Sequence, residues 1–168
     1  MPLCFAYGSN MDCAAMAVRC PGSTPLGTAR LARHRFIVTV EGYASVVRDP
    51  RRTVWGLLWD IPFADMPALD RYESVASGLY VKINQPVIAS GGARRALVYV
   101  GRSQAPGQPR AGYLEGVLAA ARDAGLPEDY LREIAALSPQ SASRPAAPAP
   151  ARPQVRPLWV NPLARDKG

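Results

Sequence analysis

This chain has one histidine, His34, in 168 residues, and that scarcity removes whole classes of mechanism at the start. A histidine-centred catalytic triad or a multi-histidine metal site has no material to form from. His34 itself lies between Arg33 and Arg35 at the expected start of a strand and reads as a surface residue. Cysteine is nearly as scarce. Cys4, Cys13 and Cys20 form an odd, widely spaced set without a Cys-x-x-Cys pair, which argues against a disulfide scaffold and against cysteine-only metal ligation. They read as small buried thiols of a reducing compartment. No stretch reaches the roughly 18 to 20 apolar residues of a membrane span, and no basic segment leads into a sustained apolar run at the N-terminus. Neither a membrane anchor nor a secretory signal is expected, and the expected location is cytoplasmic.

The chain is not short of positive charge, with a formal net charge of +7, but much of it lies at one end. From Ser138 onward Arg144, Arg152, Arg156, Arg165 and Lys167 face only Asp166, which leaves an ordinary +3 for the rest. Arg30, Arg33 and Arg35, and then Arg48, Arg51 and Arg52, cluster locally without interleaved aromatic residues, so nucleic acid is not the expected partner. Beyond Ser138 the composition turns to Pro, Ala, Ser and Arg, too little apolar material to offset the entropy of ordering. The expected organisation is one domain over residues 1–137, with a flexible extension over 138–168 in which Leu158-Trp159-Val160 could dock as an apolar clip. A hydrophobic content of 48% suffices for a conventional core.

Periodicity predicts a first strand over Leu3–Ala6, a helix over Met11–Val18, and strands over Arg35–Val40, Ala44–Val47 and Thr53–Asp60. Pro62, Phe63, Met66, Leu69 and Tyr72 then recur at helical intervals. Pro67 conflicts with a long regular helix, so a short one beginning nearer Asp65 is expected. Leu79–Ile88 and Ala96–Val100 read as strands joined by the Ser90-Gly91-Gly92-Ala93 turn. A final helical pair is expected after Pro109: Tyr113, Val117, Ala120 and Ala124 share a face of the first, and Tyr130, Ile134 and Leu137 share a face of the second, with Gly125 and Pro127 between them. Mostly consecutive strands with a few helices indicate an α+β fold.

The chemistry-bearing features are a turn and a carboxylate. Tyr7-Gly8-Ser9-Asn10 follows the first strand and opens a helix, a geometry that collects unpaired backbone N–H groups where an oxyanion or a carboxylate could sit. Leu69-Asp70-Arg71-Tyr72-Glu73 ends a short helix on an acid. Taken alone, Glu73 reads as a solvated surface residue, and Tyr7, Tyr80 and Tyr113 read as core tyrosines. Asp70 and Glu73 share a helical face but do not by themselves make a glycosidase pair. Trp55 and Trp59 alternate on one side of their strand, as core or pocket wall.

In their order along the chain, Tyr7 to Met11, Val54–Asp60, Leu69–Val75, Tyr80-Val81 and Gly125–Tyr130 resemble the gamma-glutamylcyclotransferase family from about residue 3 to about residue 137. The resemblance implies a small closed or nearly closed mixed β-barrel flanked by helices, and an enzyme of the transferase or lyase type in gamma-glutamyl and glutathione metabolism. In that chemistry the substrate's own α-amine attacks its γ-carbonyl, releasing 5-oxoproline and a free amino acid or amine with no metal or cofactor. It implies Glu73 as the catalytic acid–base, and Tyr7, Gly8, Ser9, Asn10, Tyr80 and Tyr113 as substrate-binding residues. Tyr7-Gly8-Ser9-Asn10 resembles the branch acting on gamma-glutamyl amino acids, since related branches carry Leu at the position of Asn10. One departure stands out: where Glu-Gly-Val is expected, this chain has Glu73-Ser74-Val75. Either the glycine is not required for conformation or the loop differs. The expected partner is a small gamma-glutamyl substrate, with homodimerisation left open. Two readings of other classes remain at this point, a non-catalytic binding module on the same fold and a polyanion binder driven by the tail.

Overall fold

The computed structural model describes residues 2–139, and the segment with Leu158, Trp159 and Val160 lies outside the described residues. The elements in chain order are β1 (Leu3–Ala6), a 3-10 turn (Ser9–Met11), α1 (Cys13–Arg19), β2 (Thr24–Val38), β3 (Ala44–Asp60), α2 (Met66–Tyr72), β4 (Tyr80–Ala89), β5 (Gly92–Gly101), α3 (Tyr113–Asp123) and α4 (Glu128–Ala135). The five strands close into a barrel in the order β1-β3-β2-β4-β5. The sheet is mixed: β1 runs antiparallel to β3 and parallel to β5, where Cys4 pairs with Leu97. Closure removes the exposed edges that so small a sheet would otherwise present. Among the described residues no helix is long and apolar enough to cross a membrane.

The core is continuous. Phe5, Leu31, Val54, Val87 and Val98 come from the strands, and Met11, Met16, Leu69, Leu114 and Ile134 from the helices and turn, all nearly inaccessible. Each such side chain contributes about 1.5 to 3 kcal/mol on leaving water. Phe5, Tyr7 and Phe36 form an aromatic line, Tyr7 meeting each neighbour at a ring separation of 6.3 Å. Gly56 is required by close approach: a Cβ there would lie 2.2 Å from the carbonyl oxygen of Ala6. Without a side chain at 56, β1 can lie flat on β3 up to Ala6, where the chain turns into the site.

Several expectations change. The strand expected at 35–40 is the second half of a longer β2, and the two expected at 44–47 and 53–60 are one strand, β3. Pro50 falls in the register shift between the pairs His34–Arg48 and Ala32–Thr53, where its missing N–H costs nothing. That same irregularity buries His34, expected at the surface. Arg33 takes φ +60, and the extra residue resets the alternation so that Ala29, Leu31, His34, Phe36 and Val38 all face inward. His34 is 4% exposed, and its Nδ1 lies 2.9 Å from the Ala32 carbonyl oxygen. The helix expected over 11–18 is split into the 3-10 turn and α1, because Asp12 caps α1 by accepting from the Ala15 amide. Leu137 leaves the α4 face and is exposed, since the helix ends at Ala135. Short α2 begins at Met66 with Pro67 in its first turn, where the absent N–H has no helical partner to lose.

Candidate active site

β1 delivers the turn. After Ala6 the Tyr7 side chain enters the barrel and its hydroxyl donates to the Tyr99 carbonyl at 2.5 Å. The 3-10 turn is closed by the Met11 amide donating to Gly8 and the Asp12 amide to Ser9. The amides of Gly8, Ser9 and Asn10 make no backbone hydrogen bond among the described residues. Gly8 has φ −122 and ψ −137, and a Cβ there would lie 3.2 Å from the Ala44 Cβ and 3.3 Å from the Tyr113 hydroxyl. Its lack of a side chain keeps that wall open.

α2 delivers the carboxylate, and its C-terminus shows why. Glu73 is the C-cap, the Ser74 amide donates to the Arg71 carbonyl, and the Val75 amide donates to the Asp70 carbonyl. These two bonds make a Schellman motif, whose next residue must adopt the left-handed region. Ser74 does so, at φ +52. Hence the left-handed conformation is needed here, and serine adopts it without glycine's freedom from strain. The reversal directs Glu73 towards β1 instead of along the helix surface.

Glu73 meets the turn directly. Asn10 Nδ2 donates to Glu73 Oε1 at 2.5 Å, and Arg19 Nη1 from the end of α1 donates to Asn10 Oδ1 at 2.6 Å. Burial pushes the Glu73 carboxyl up from 4.5 to about 7, against the lowering effects of the Asn10 hydrogen bond and the Arg19 charge. Desolvation therefore wins, and the group sits where it exchanges a proton at neutral pH.

Around this pair lies a cavity of about 200 Å³, lined by the turn residues Tyr7 to Asn10, by Glu73 and Ser74, and by Tyr43, Tyr72, Tyr80, Tyr99 and Tyr113 among others. All seven residues singled out from the sequence line it. Among the described residues, however, the tyrosine hydroxyls make no hydrogen bond to Glu73. Tyr80 donates to the Ala44 carbonyl at 2.5 Å, and Tyr113 accepts from the Ala44 amide at 3.1 Å. The two rings thereby clamp the start of β3 as one wall of the cavity. Burial raises the phenols of Tyr7, Tyr80 and Tyr99, and pushes Tyr113 up to about 12, so they present neutral hydroxyls at neutral pH.

Asp70 separates from Glu73 despite their shared helix. It accepts from the Tyr99 hydroxyl at 2.6 Å and pairs with Lys82 at 2.7 Å, tying α2 to β4 and β5 outside the cavity lining. Trp55 and Trp59 do not line the cavity either. The sequence reading missed Arg19, Tyr43, Tyr72 and Tyr99. Tyr99 was legible only as an alternating strand residue, and the position of Arg19 in the last turn of α1 carried no chemical signal before Asn10 was placed beside it.

The closed five-stranded mixed barrel with four helices matches the fold of gamma-glutamyl cyclotransferases. A solved structure of that name matches with a TM-score of 0.76 at 25% identity, over 88% of this chain and 94% of the other. The chain is 28% identical to the gamma-glutamylcyclotransferase of Homo sapiens and 29% identical to that of Mus musculus, in each case over 82% of this chain and 79% of the relative. The model of the AIG2-like family matches residues 53–134. The chain is thus similar to the AIG2-like family and to gamma-glutamylcyclotransferases, and these likenesses support an enzyme of that kind.

Proposed function

We propose that the protein releases 5-oxoproline and a free amino acid or amine from a gamma-glutamyl substrate. The observation that carries this reading is Glu73, a single carboxyl raised to about 7 and directed into a tyrosine-walled cavity beside a turn with unpaired amides.

The reaction asks little else of the protein. The glutamyl chain is bent so that its α-nitrogen faces its own γ-carbonyl, and such orientation is worth effective molarities on the order of 10⁵ to 10⁸ M. Glu73 takes a proton from the α-ammonium. The freed amine attacks the γ-carbonyl carbon, the new C–N bond closes the five-membered ring, and the carbonyl oxygen gains negative charge. That charge collapses back as the original amide C–N bond breaks and Glu73 returns its proton to the departing nitrogen. The second proton, which the ring nitrogen sheds to become the lactam N–H, passes by the same carboxylate to the released amine, which leaves as an ammonium. A base near 7 suits both halves of the exchange. The Gly8, Ser9 and Asn10 amides supply donors for either the oxyanion or the substrate α-carboxylate. Tyr7, Tyr80 and Tyr113, fixed by backbone hydrogen bonds, shape the glutamyl pocket.

Purified full-length protein incubated with a panel of gamma-glutamyl dipeptides and gamma-glutamylamines, followed by mass spectrometry, tests the reading. Pyroglutamate and the free amine should appear in equal amounts. Their absence across the panel overturns it.

A further inference from the structure

We infer that Arg19 is a positioning residue for Glu73, acting through Asn10 to hold one carboxylate oxygen and leave the other for the substrate. The inference rests on the cyclotransferase reading for its catalytic consequence.

The chemistry of the chain Arg19–Asn10–Glu73 allows one arrangement. A guanidinium has donors only, so the Asn10 atom 2.6 Å from Arg19 Nη1 must be the amide oxygen. The amide NH₂ then necessarily faces Glu73, where it donates to Oε1 at 2.5 Å. Were the amide turned over, its NH₂ would meet a cation and its oxygen a carboxylate, two repulsive contacts in place of two favourable ones. Oε1 is thereby engaged, and among the described residues no hydrogen bond is made to Oε2, which is the oxygen left to accept the α-ammonium proton.

Arg19 is itself held. Its guanidinium carbon lies 3.6 Å from the centre of the Tyr72 ring, and the Tyr72 hydroxyl is 3.0 Å from Ser9 Oγ. The planar group is thus stacked on the residue immediately before Glu73 while it grips the residue after Ser9. α1, the turn and the end of α2 are joined at one point, and Asn10 is 7% exposed inside it. A lysine would keep the charge but lose the stacked, planar grip.

The other groups electrostatically coupled to Glu73 do not substitute for this cation. From β1 comes Cys4, from the residue after that strand Tyr7, from β4 Tyr80, from β5 Tyr99 and from α3 Tyr113; burial raises all of them, so they are neutral at neutral pH. On α2 itself, Tyr72 is stacked under Arg19, and Asp70 is engaged by Lys82 and Tyr99. The cation that lowers the Glu73 carboxyl, against burial, is Arg19.

The test uses Arg19→Met and Arg19→Lys in the full chain. Two readouts are taken from about pH 5 to about pH 9: pyroglutamate release from a gamma-glutamyl dipeptide, and NMR titration of ¹³C-labelled glutamate carboxyls without substrate, with Glu73 assigned by its loss in Glu73→Gln. Arg19→Met should lower kcat roughly 10- to 100-fold with little change in KM. It should also move both the acid limb of the rate profile and the Glu73 titration upward by about one pH unit. Arg19→Lys should recover most of the titration but only part of kcat. A Glu73 titration unmoved in Arg19→Met overturns the proposal, as does full recovery of kcat in Arg19→Lys, which would make Arg19 a source of charge alone. If Arg19→Met does not fold, wild-type titration and kcat in Arg19→Lys overturn it. The carboxyl titration needs no turnover, so it decides the role of Arg19 even if the protein proves inert towards every gamma-glutamyl substrate.

Discussion

Replacing Glu73 by glutamine should make the protein inactive and, above neutral pH, more stable. In the folded state burial moves the carboxyl from 4.5 to about 7, so the folded protein binds this proton more tightly than the unfolded chain does. The stabilisation from the protonated group is complete below pH 4.5 and is lost as pH rises through about 7, above which a desolvated carboxylate is carried that Asn10 and Arg19 compensate only in part. At about 1.4 kcal/mol per pH unit, the difference between the two ends of that window is about 3 kcal/mol. Glutamine has the same shape and can still accept from Asn10 Nδ2, but it has no charge to desolvate. Urea unfolding of both proteins at a series of pH values reads the effect directly. The stability of Glu73→Gln relative to the parent should climb by about 3 kcal/mol between pH 4.5 and about pH 7, nearly linearly, and level off above that. Turnover in the same variant should fall by roughly 10² to 10⁴ or more. A stability difference that stays constant across this range would refute the argument that Glu73 is desolvated, and with it the basis for its role as a base near neutral pH.

Other outcomes follow from the same geometry. The acid limb of kcat/KM in the parent protein should fall near pH 7, since the free enzyme must hold Glu73 ionised to accept a proton; a limb near 4.5 would mean an exposed carboxylate. Gly8→Val should abolish binding of glutamate analogues in calorimetry, because even its Cβ would stand 3.2 Å from Ala44 and 3.3 Å from the Tyr113 hydroxyl, whereas Ser9→Ala should weaken binding only mildly. Ser74→Gly should raise stability in urea unfolding by about 0.5 to 1 kcal/mol, as it relieves a left-handed serine at the net of glycine's greater chain entropy. A loss of stability there would show that the serine side chain holds the loop.

The site was legible in pieces. Tyr7-Gly8-Ser9-Asn10 announced a turn at a strand end, and Leu69–Glu73 announced an acid at a helix end, because both rest on local chain chemistry. What each residue does was not legible. Asn10 pointed to substrate, yet its amide is engaged by Arg19 on one side and Glu73 on the other. Tyr7 and Tyr80 pointed to substrate binding, yet the hydroxyl of each donates to a backbone carbonyl across the barrel. His34 read as surface because the alternation it belongs to is reset by Arg33, and a bulge is visible only once the partner strand is in place.

By itself the sequence determined that the helices form, since they depend on spacing and breakers within a few residues: Pro67 in the first turn of α2, and Gly125 and Pro127 between α3 and α4. It also determined that an acid and a donor-rich turn exist. Barrel closure through the parallel β1–β5 contact, the join of β3 across Pro50, and the encounter of Glu73 with Asn10 were decided by tertiary structure alone. The physical reason is the range of the forces. Capping and turn preferences act through neighbouring backbone groups, whereas desolvation of Glu73 is the sum over β1, β4, β5 and α3, elements that sequence order keeps apart and only the closed barrel brings to one side chain.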